Sequence, residues 1–324
     1  PGRRPARLVW EQLRLPSLLA GTVPAPQVHH APHYTMPERA RLPMVVTIHD
    51  LTFLDHPEWH ERTKVPFFRR AIGVAARRAD VLVCVSEVTA TRLRERCAPA
   101  GEVTVVPHGV DHERFRAQEP DPGADAAMLA ALGIRPPYVL FLGTLEPRKA
   151  VPTLVAAFDA LAPRHAELAL VLAGGRGWGT EAIDAALAAA GHADRVVRTG
   201  YVEDAAVPAL LRSAAVVAYP AVEEGFGLPA LEALACGAPL VTTAGTAMAE
   251  AAAGAALLVV PGSAGELAEA LDEALAGGPA VEERRRLGLD RAARFTWAAS
   301  AAGHVAAYRR ALATASPGGR AGGR

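Results

Sequence analysis

Short apolar runs bounded by polar and turn residues recur along the chain and predict its architecture. The first clear run is Met44-Val45-Val46-Thr47-Ile48, which ends at His49-Asp50. Val81-Leu82-Val83-Cys84-Val85 and Val103-Thr104-Val105-Val106 repeat the pattern, the last ending in Pro107-His108-Gly109-Val110-Asp111. Runs this continuous predict strands covered on both faces. Between them, 66–79 and 87–97 have helical spacing, the first with arginines along one face and the second preceded by Ser86, a favoured N-cap. Strands alternating with helices predict a parallel sheet. The first 45 or so residues, with Arg and Pro throughout, predict irregular chain.

Pro120, Pro122, Gly123, Pro136 and Pro137 mark a change of character over 117–137, around a short helix at 124–132. A second alternating series follows. Strands are expected at 138–142, 167–173, 195–198, 215–219, 239–242 and 256–260. Helices are expected at 151–162, 179–190, 204–212, 229–236, 246–253 and 263–276. This is a second doubly wound α/β domain. Residues 281–315 are helical in pattern and lead into a Gly/Arg tail that predicts disorder. The resulting division is a first domain over 1–118, a linker over 119–135, a second domain over 136–298 and a tail over 316–324.

Composition excludes several classes. With 51% hydrophobic and 21% charged residues over 324 positions, the chain can bury a core and is not a disordered polyelectrolyte. No apolar run reaches about 18 residues, so no transmembrane helix is expected. Cys84, Cys97 and Cys236 form neither a disulfide framework nor a zinc pattern, which suits a reducing, cytoplasmic setting. A formal net charge of zero argues against nucleic-acid binding. That zero is a cancellation: residues 1–118 carry five more basic than acidic residues and the remainder five fewer. Only two of the 34 basic residues are lysines, Lys64 and Lys149, so a lysine here can mark a site that wants a compact ammonium. The chain starts at Pro1, without Met or a signal-peptide pattern, and is expected to be a fragment.

Two segments carry candidate chemistry. Gly143-Thr144-Leu145-Glu146-Pro147-Arg148-Lys149 follows the strand 138–142, at the sheet edge where open α/β folds bind ligands. Gly143 permits close backbone approach, and Arg148 and Lys149 stand just before a helix N-terminus. Either they form a diphosphate site or they are solvated loop charges. Glu223-Glu224-Gly225-Phe226-Gly227-Leu228-Pro229-Ala230-Leu231-Glu232 follows the strand 215–219 at the same edge. Pro229 suits a first helical turn, which puts Gly225, Phe226, Gly227 and Leu228 where backbone N–H groups point at an anion. Glu224 and Glu232 straddle that point, and carboxylates suit sugar hydroxyls. Elsewhere, Gly174-Gly175-Arg176-Gly177-Trp178-Gly179 misses the dinucleotide fingerprint and reads as a turn. His29, His30 and His33 are either a metal cluster or a strand end, at His30, with two loop residues. The arginines at 62–78 are either a solvated face or a contact to an anionic lipid surface.

These residues resemble glycosyltransferase family 4, the retaining glycosyltransferases of the GT-B fold. Glu224 and Glu232 match its E-x7-E motif. The strings YVLFLGTLEPRKA, LVLAGG, RTGYVEDAAVPALLRSA, EEGFGLPALEALACGAPLVTT and FTWAASA stand in the family's order, and VVTIHDLTF and VVPHGVDHERF match its first domain. GTLEPRK is similar to a branch rich in mannosyl- and rhamnosyltransferases of surface-polysaccharide synthesis. Ala150 stands where that branch usually has Asn, and Thr144 where other branches have a phosphate-binding Arg. The family's first strand and Gly-rich loop would lie upstream of Pro1, so the first domain is expected to be incomplete and the activity of this chain to be impaired.

The resemblance implies two Rossmann-like domains facing a cleft, with a C-terminal helix over 299–315 returning to the first. It implies a hexosyltransferase moving a hexose, mannose being one candidate, from a GDP- or UDP-linked donor to a glycan or lipid-linked acceptor. Glu224 would bind the donor sugar, Glu232 the ribose, Arg148 and Lys149 the diphosphate. Gly225, Phe226, Gly227 and Leu228 would touch sugar and phosphate. Tyr201 and Val202 would lie near the base, with Gly143 and Thr144 beside the donor. His49 would face the sugar from the first domain. No cofactor or metal is expected, since the chain has no Asp-x-Asp motif and the cations would stabilise the leaving group. A peripheral membrane contact through the basic first domain is a further expectation. The rival classes are a non-catalytic sugar-nucleotide-binding paralogue and a nucleotide-sugar epimerase.

Overall fold

The computed structural model describes residues 4–119, 121 and 123–315. They form two compact units, one from residues 4–108 with 298–315 and one from residues within 109–297. The expected disordered tail, 316–324, lies outside the described residues.

The first unit holds a parallel sheet of four strands, β1 (His29–Ala31), β2 (Met44–Ile48), β3 (Val81–Cys84) and β4 (Glu102–Val105), in that spatial order. Val45 pairs with Val81, and Val81 with Glu102. Because side chains alternate across a strand, β2 and β3 cover two faces at once. Val46, Ile48, Leu82 and Cys84 pack with Ile72, Ala75, Ala90 and Leu93 of the helices Val65–Arg78 and Glu87–Cys97. Val45, Val81 and Val83 pack on the other side with Ala307 and Ala311 of the helix Trp297–Ala315. The C-terminal helix is therefore part of the first unit's core. Tyr308 from it bonds His30 Nδ1 at 2.9 Å, and Arg310 meets Glu102 at 2.7 Å. Ser86 caps its helix by accepting from the Thr89 amide at 3.1 Å.

Two sequence expectations change here. The opening residues are not irregular: they form helices Arg4–Leu13 and Leu15–Gly21 and the strand β1. Pro16 sits in the first turn of its helix, where a missing N–H costs nothing, so it does not break structure. Gln12 ties the first helix to the Met36 carbonyl at 2.8 Å and to the Glu38 amide at 3.0 Å. His29 joins His30 in β1 and is not a loop residue. Among the described residues no group of three or more His, Cys, Asp or Glu is placed to hold a metal, and no helix is long and apolar enough to cross a membrane.

The second unit holds six parallel strands: β5 (Tyr138–Leu142), β6 (Ala169–Ala173), β7 (Val196–Gly200), β8 (Val216–Tyr219), β9 (Leu240–Thr243) and β10 (Leu257–Val259). Their order is β10-β9-β8-β5-β6-β7. Tyr138, Leu140, Phe141, Val217 and Leu172 are fully buried, as strands covered on both faces require. Residues 109–118, expected in the first domain because the Pro/Gly-rich boundary lies beyond them, group with this unit. Val110 bridges Thr296, and its amide donates to Phe295 at 3.0 Å. The stretch expected to be a linker is also bound to this unit: its helix Ala124–Ala131 is clamped by Arg212, whose Nε and Nη2 reach the two Asp125 oxygens at 2.6 Å.

A Cβ on Gly109 would lie 2.1 Å from the Trp297 backbone nitrogen. Gly109→Ala is expected to destabilise the chain by about 1–3 kcal/mol or more, because backbone and not a flexible side chain fills that space. A lower urea midpoint at unchanged m-value is the expected measurement.

Candidate active site

In the second unit the strand order reverses between β5 and β8. Loops leaving adjacent strands on either side of such a switch point turn to opposite sides and open a crevice at the carboxyl edge. Those loops carry Gly143–Ala150 and Pro220–Gly227. The β5 loop is pressed against the β6 loop: a Cβ on Gly174 would lie 2.0 Å from the Gly143 carbonyl oxygen. Leu145 bridges Arg176, and Gly177 leaves room for the Leu145 carbonyl. The Gly-rich run 174–179 is thus packed against the β5 loop. A tight turn over Pro147–Lys149 and a left-handed Ala150, φ +50°, lead into the helix Val151–Leu161. Asn tolerates that backbone better than Ala, which gives a physical reason for the Asn of the similar branch.

Three side chains meet at one oxygen. Glu224 Oε1 accepts from Lys149 Nζ and lies 2.8 Å from Arg148 Nη1, while Arg148 Nε lies 2.5 Å from Glu146 Oε1. Backbone bonds fix the two loops together: the Val222 amide donates to the Arg148 carbonyl at 2.9 Å. Lys149 is only 7% exposed and Glu146 4%. Arg148 and Lys149 are therefore not solvated loop charges. Burial works against ionising Glu224, but Lys149 and Arg148 outweigh it and hold its carboxyl below the usual glutamate range. Burial lowers the Lys149 ammonium, against the pull of Glu224.

The β8 loop ends at Gly227, φ +100°, where a Cβ would lie 2.8 Å from Met248 Cα. The helix Leu228–Ala235 starts there, with Pro229 in its first turn. Phe226 is buried with its ring 6.1 Å from that of Phe295, which anchors the Gly225–Leu228 turn. One turn further on, Glu232 faces a cavity of about 280 Å³ that also touches Gly143, Thr144, Gly174, Tyr201, Val202, Arg114 and Asp204. Burial pushes the Glu232 carboxyl up to about 7, with Asp204 adding to the rise and Arg114 opposing it. Arg114 donates to the Asp204 carbonyl and holds its carboxylate at 3.7 Å.

The fold thus gathers Gly143, Thr144, Tyr201, Val202 and Glu232 around one cavity, and Arg148, Lys149 and Glu224 into one cluster. His49 lies in the first unit, just past β2, its Nε2 2.8 Å from the Pro32 carbonyl and its ring stacked 5.6 Å from His108. Sequence reasoning missed Glu146, Arg114 and Asp204. Glu146 sat inside a motif already singled out. Arg114 and Asp204 come from segments 90 residues apart, and no local spacing links them.

Comparison with known proteins gives this arrangement a family. Residues 130–292 match the model of glycosyl transferases group 1, and residues 1–114 match that of glycosyltransferase family 4. The chain belongs to the group 1 glycosyl transferases, with a family 4 first domain. Its fold is GT-B. It is 28% identical over 275 residues to O-antigen chain mannosyltransferase B of Escherichia coli, covering 83% of this chain and 71% of that one. It is 31% identical over 285 residues to a D-inositol 3-phosphate glycosyltransferase of Segniliparus rotundus, covering 85% of this chain and 62% of that one. Among solved structures, the Anabaena HepE protein in complex with UDP and glucose superposes with a TM-score of 0.67 at 21% identity, over 86% of this chain and 72% of that one. The chain thus spans about two thirds of the length of these curated relatives.

The Glu232 carboxyl has a consequence for stability. Between its usual value of 4.5 and about 7, the folded chain keeps a proton there that the unfolded chain has released. Stability contributed by this residue therefore falls as pH rises through that window. Glu232→Gln is expected to flatten that part of the profile, read as urea midpoints at pH 5 and pH 7.5 for both proteins.

Proposed function

We propose that this protein transfers a hexose from a nucleoside-diphosphate sugar to a glycan or lipid-linked acceptor, with retention of anomeric configuration. The observation that carries the proposal is the meeting of Arg148, Lys149 and Glu224 at the β5/β8 switch point, beside a cavity lined by Glu232. Cations at that edge suit a diphosphate, and carboxylates suit hydroxyl donors on either side of it. The family membership supports the reaction class. The mannosyltransferase relative supports mannose as the sugar, and the HepE complex supports a nucleotide donor.

In this reading the nucleoside enters the 280 Å³ cavity, with the base near Tyr201 and Val202 and the ribose hydroxyls donating to Glu232. Arg148, Lys149 and the N–H groups of the Gly225–Leu228 turn hold the diphosphate. Glu224 accepts from the sugar. As the bond from the anomeric carbon to the phosphate oxygen breaks, negative charge grows on the phosphate and positive charge on the carbon. Arg148 and Lys149 stabilise the former in place of a metal. The acceptor oxygen bonds to the same face of the anomeric carbon, and its proton passes to the departing phosphate oxygen.

Arg148→Ala and Lys149→Ala are each expected to lower kcat by about 10²–10³ in a transfer assay. Glu232→Gln is expected to weaken nucleotide binding more than turnover, and Glu224→Gln to lower turnover without weakening nucleotide binding, because they serve opposite ends of the donor. Calorimetry with UDP and GDP, run beside transfer assays from UDP-glucose and GDP-mannose, separates the effects. Near-wild-type turnover in both cation variants would overturn the diphosphate assignment. Binding without transfer, or release of an epimerised nucleotide sugar, would overturn the transferase reading.

A further inference from the structure

We infer that Glu224 competes with the donor diphosphate for Arg148 and Lys149, and that this competition makes the site discriminate a nucleotide sugar from the bare nucleoside diphosphate. The inference rests on the donor-site reading above. Its starting point is the sharing of Glu224 Oε1 between Lys149 Nζ and Arg148 Nη1, the latter at 2.8 Å. These are the same two cations that the diphosphate needs.

Charge makes the competition sharp. Two cations are already matched by two carboxylates, Glu224 and Glu146, and Arg148 Nη1 also lies 3.4 Å from the Glu223 backbone carbonyl. Glu146 binds the Nε side of the guanidinium and leaves the Nη1 side to Glu224. The Glu224 side chain is 11% exposed and that of Lys149 8%, so solvent screens little of the repulsion. A diphosphate added to the intact cluster would place excess negative charge in a nearly dry site, so Glu224 has to turn off the cations as the phosphate arrives.

What Glu224 gains on turning depends on the ligand. A nucleotide sugar brings hydroxyl donors to the displaced carboxylate, and the lost ion pairs are partly replaced. A nucleoside diphosphate brings none, and Glu224 is left without new donors. The same carboxylate therefore favours the substrate on entry and works against the product after transfer. Glu146 touches the guanidinium away from Glu224 and has no place in this exchange.

The test is calorimetry on the full chain with UDP, GDP, UDP-glucose and GDP-mannose. Glu224→Gln keeps the shape and removes the charge. It is expected to bind UDP or GDP about ten-fold more tightly than wild type, while its affinity for the matching nucleotide sugar falls. Product inhibition in the transfer assay should deepen in parallel. Glu146→Gln is expected to tighten both ligands by the same factor, which separates exchange at Glu224 from simple removal of negative charge. Glu224→Asp, whose shorter side chain loosens the grip on both cations, provides the same sign if Glu224→Gln does not fold. Unchanged or weaker nucleoside diphosphate binding in a folded Glu224 variant would overturn the competition and leave the donor site standing. Failure of wild type to bind any of the four ligands would overturn the donor-site reading itself.

Discussion

The second unit is organised around a buried charge cluster at its strand-order reversal. Lys149 and Glu224 lie 75 residues apart and meet because β5 and β8 are neighbours although not consecutive in sequence. Taking either charge out of water alone would be strongly unfavourable, so each loop conformation depends on the other. The backbone agrees with the side chains: Val222 bonds Arg148, and the Gly143–Gly174 approach leaves no room for a Cβ. The backbone of the crevice is therefore fixed, whichever partner the cations hold.

Burial also divides the two motif carboxylates. Glu224 sits against two cations and is held ionised, while Glu232 sits in a largely apolar cavity wall and is pushed up to about 7. Carboxyls eight residues apart on one loop and helix are thus shifted in opposite directions, one by neighbouring cations and the other by burial.

The first unit shows a different economy of chemistry. His30 bonds Thr47 at 2.8 Å and Tyr308 at 2.9 Å, and burial together with His304 lowers its imidazole to about 4. His108, stacked on His49, is likewise lowered to about 4, by burial and by His49 itself. Both rings remain neutral at physiological pH, so they shape the surroundings of His49 without adding charge beside it. The C-terminal helix supplies part of this packing, which makes residues 298–315 integral to the unit.

Local pattern was enough for most of the architecture. The strands at 44–48, 81–84 and 138–142 and the helix at 87–97 were legible because continuous apolar runs and a Ser cap depend only on neighbouring residues. Gly143, Arg148, Lys149, Glu224 and Glu232 were legible for the same reason, as each lies in a short motif at a strand end. Three things were decided only by the tertiary structure. The opening helices escaped because their prolines were read as breakers, whereas a helix start tolerates them and long-range bonds from Gln12 fix the first helix. Residues 109–118 fell to the second unit through backbone bonds to Phe295, which the Pro/Gly pattern does not encode. The sharing of one Glu224 oxygen by both cations, and the Arg114–Asp204 pair in the cavity, depend on which strands become neighbours, and that order is set by packing over the whole sheet.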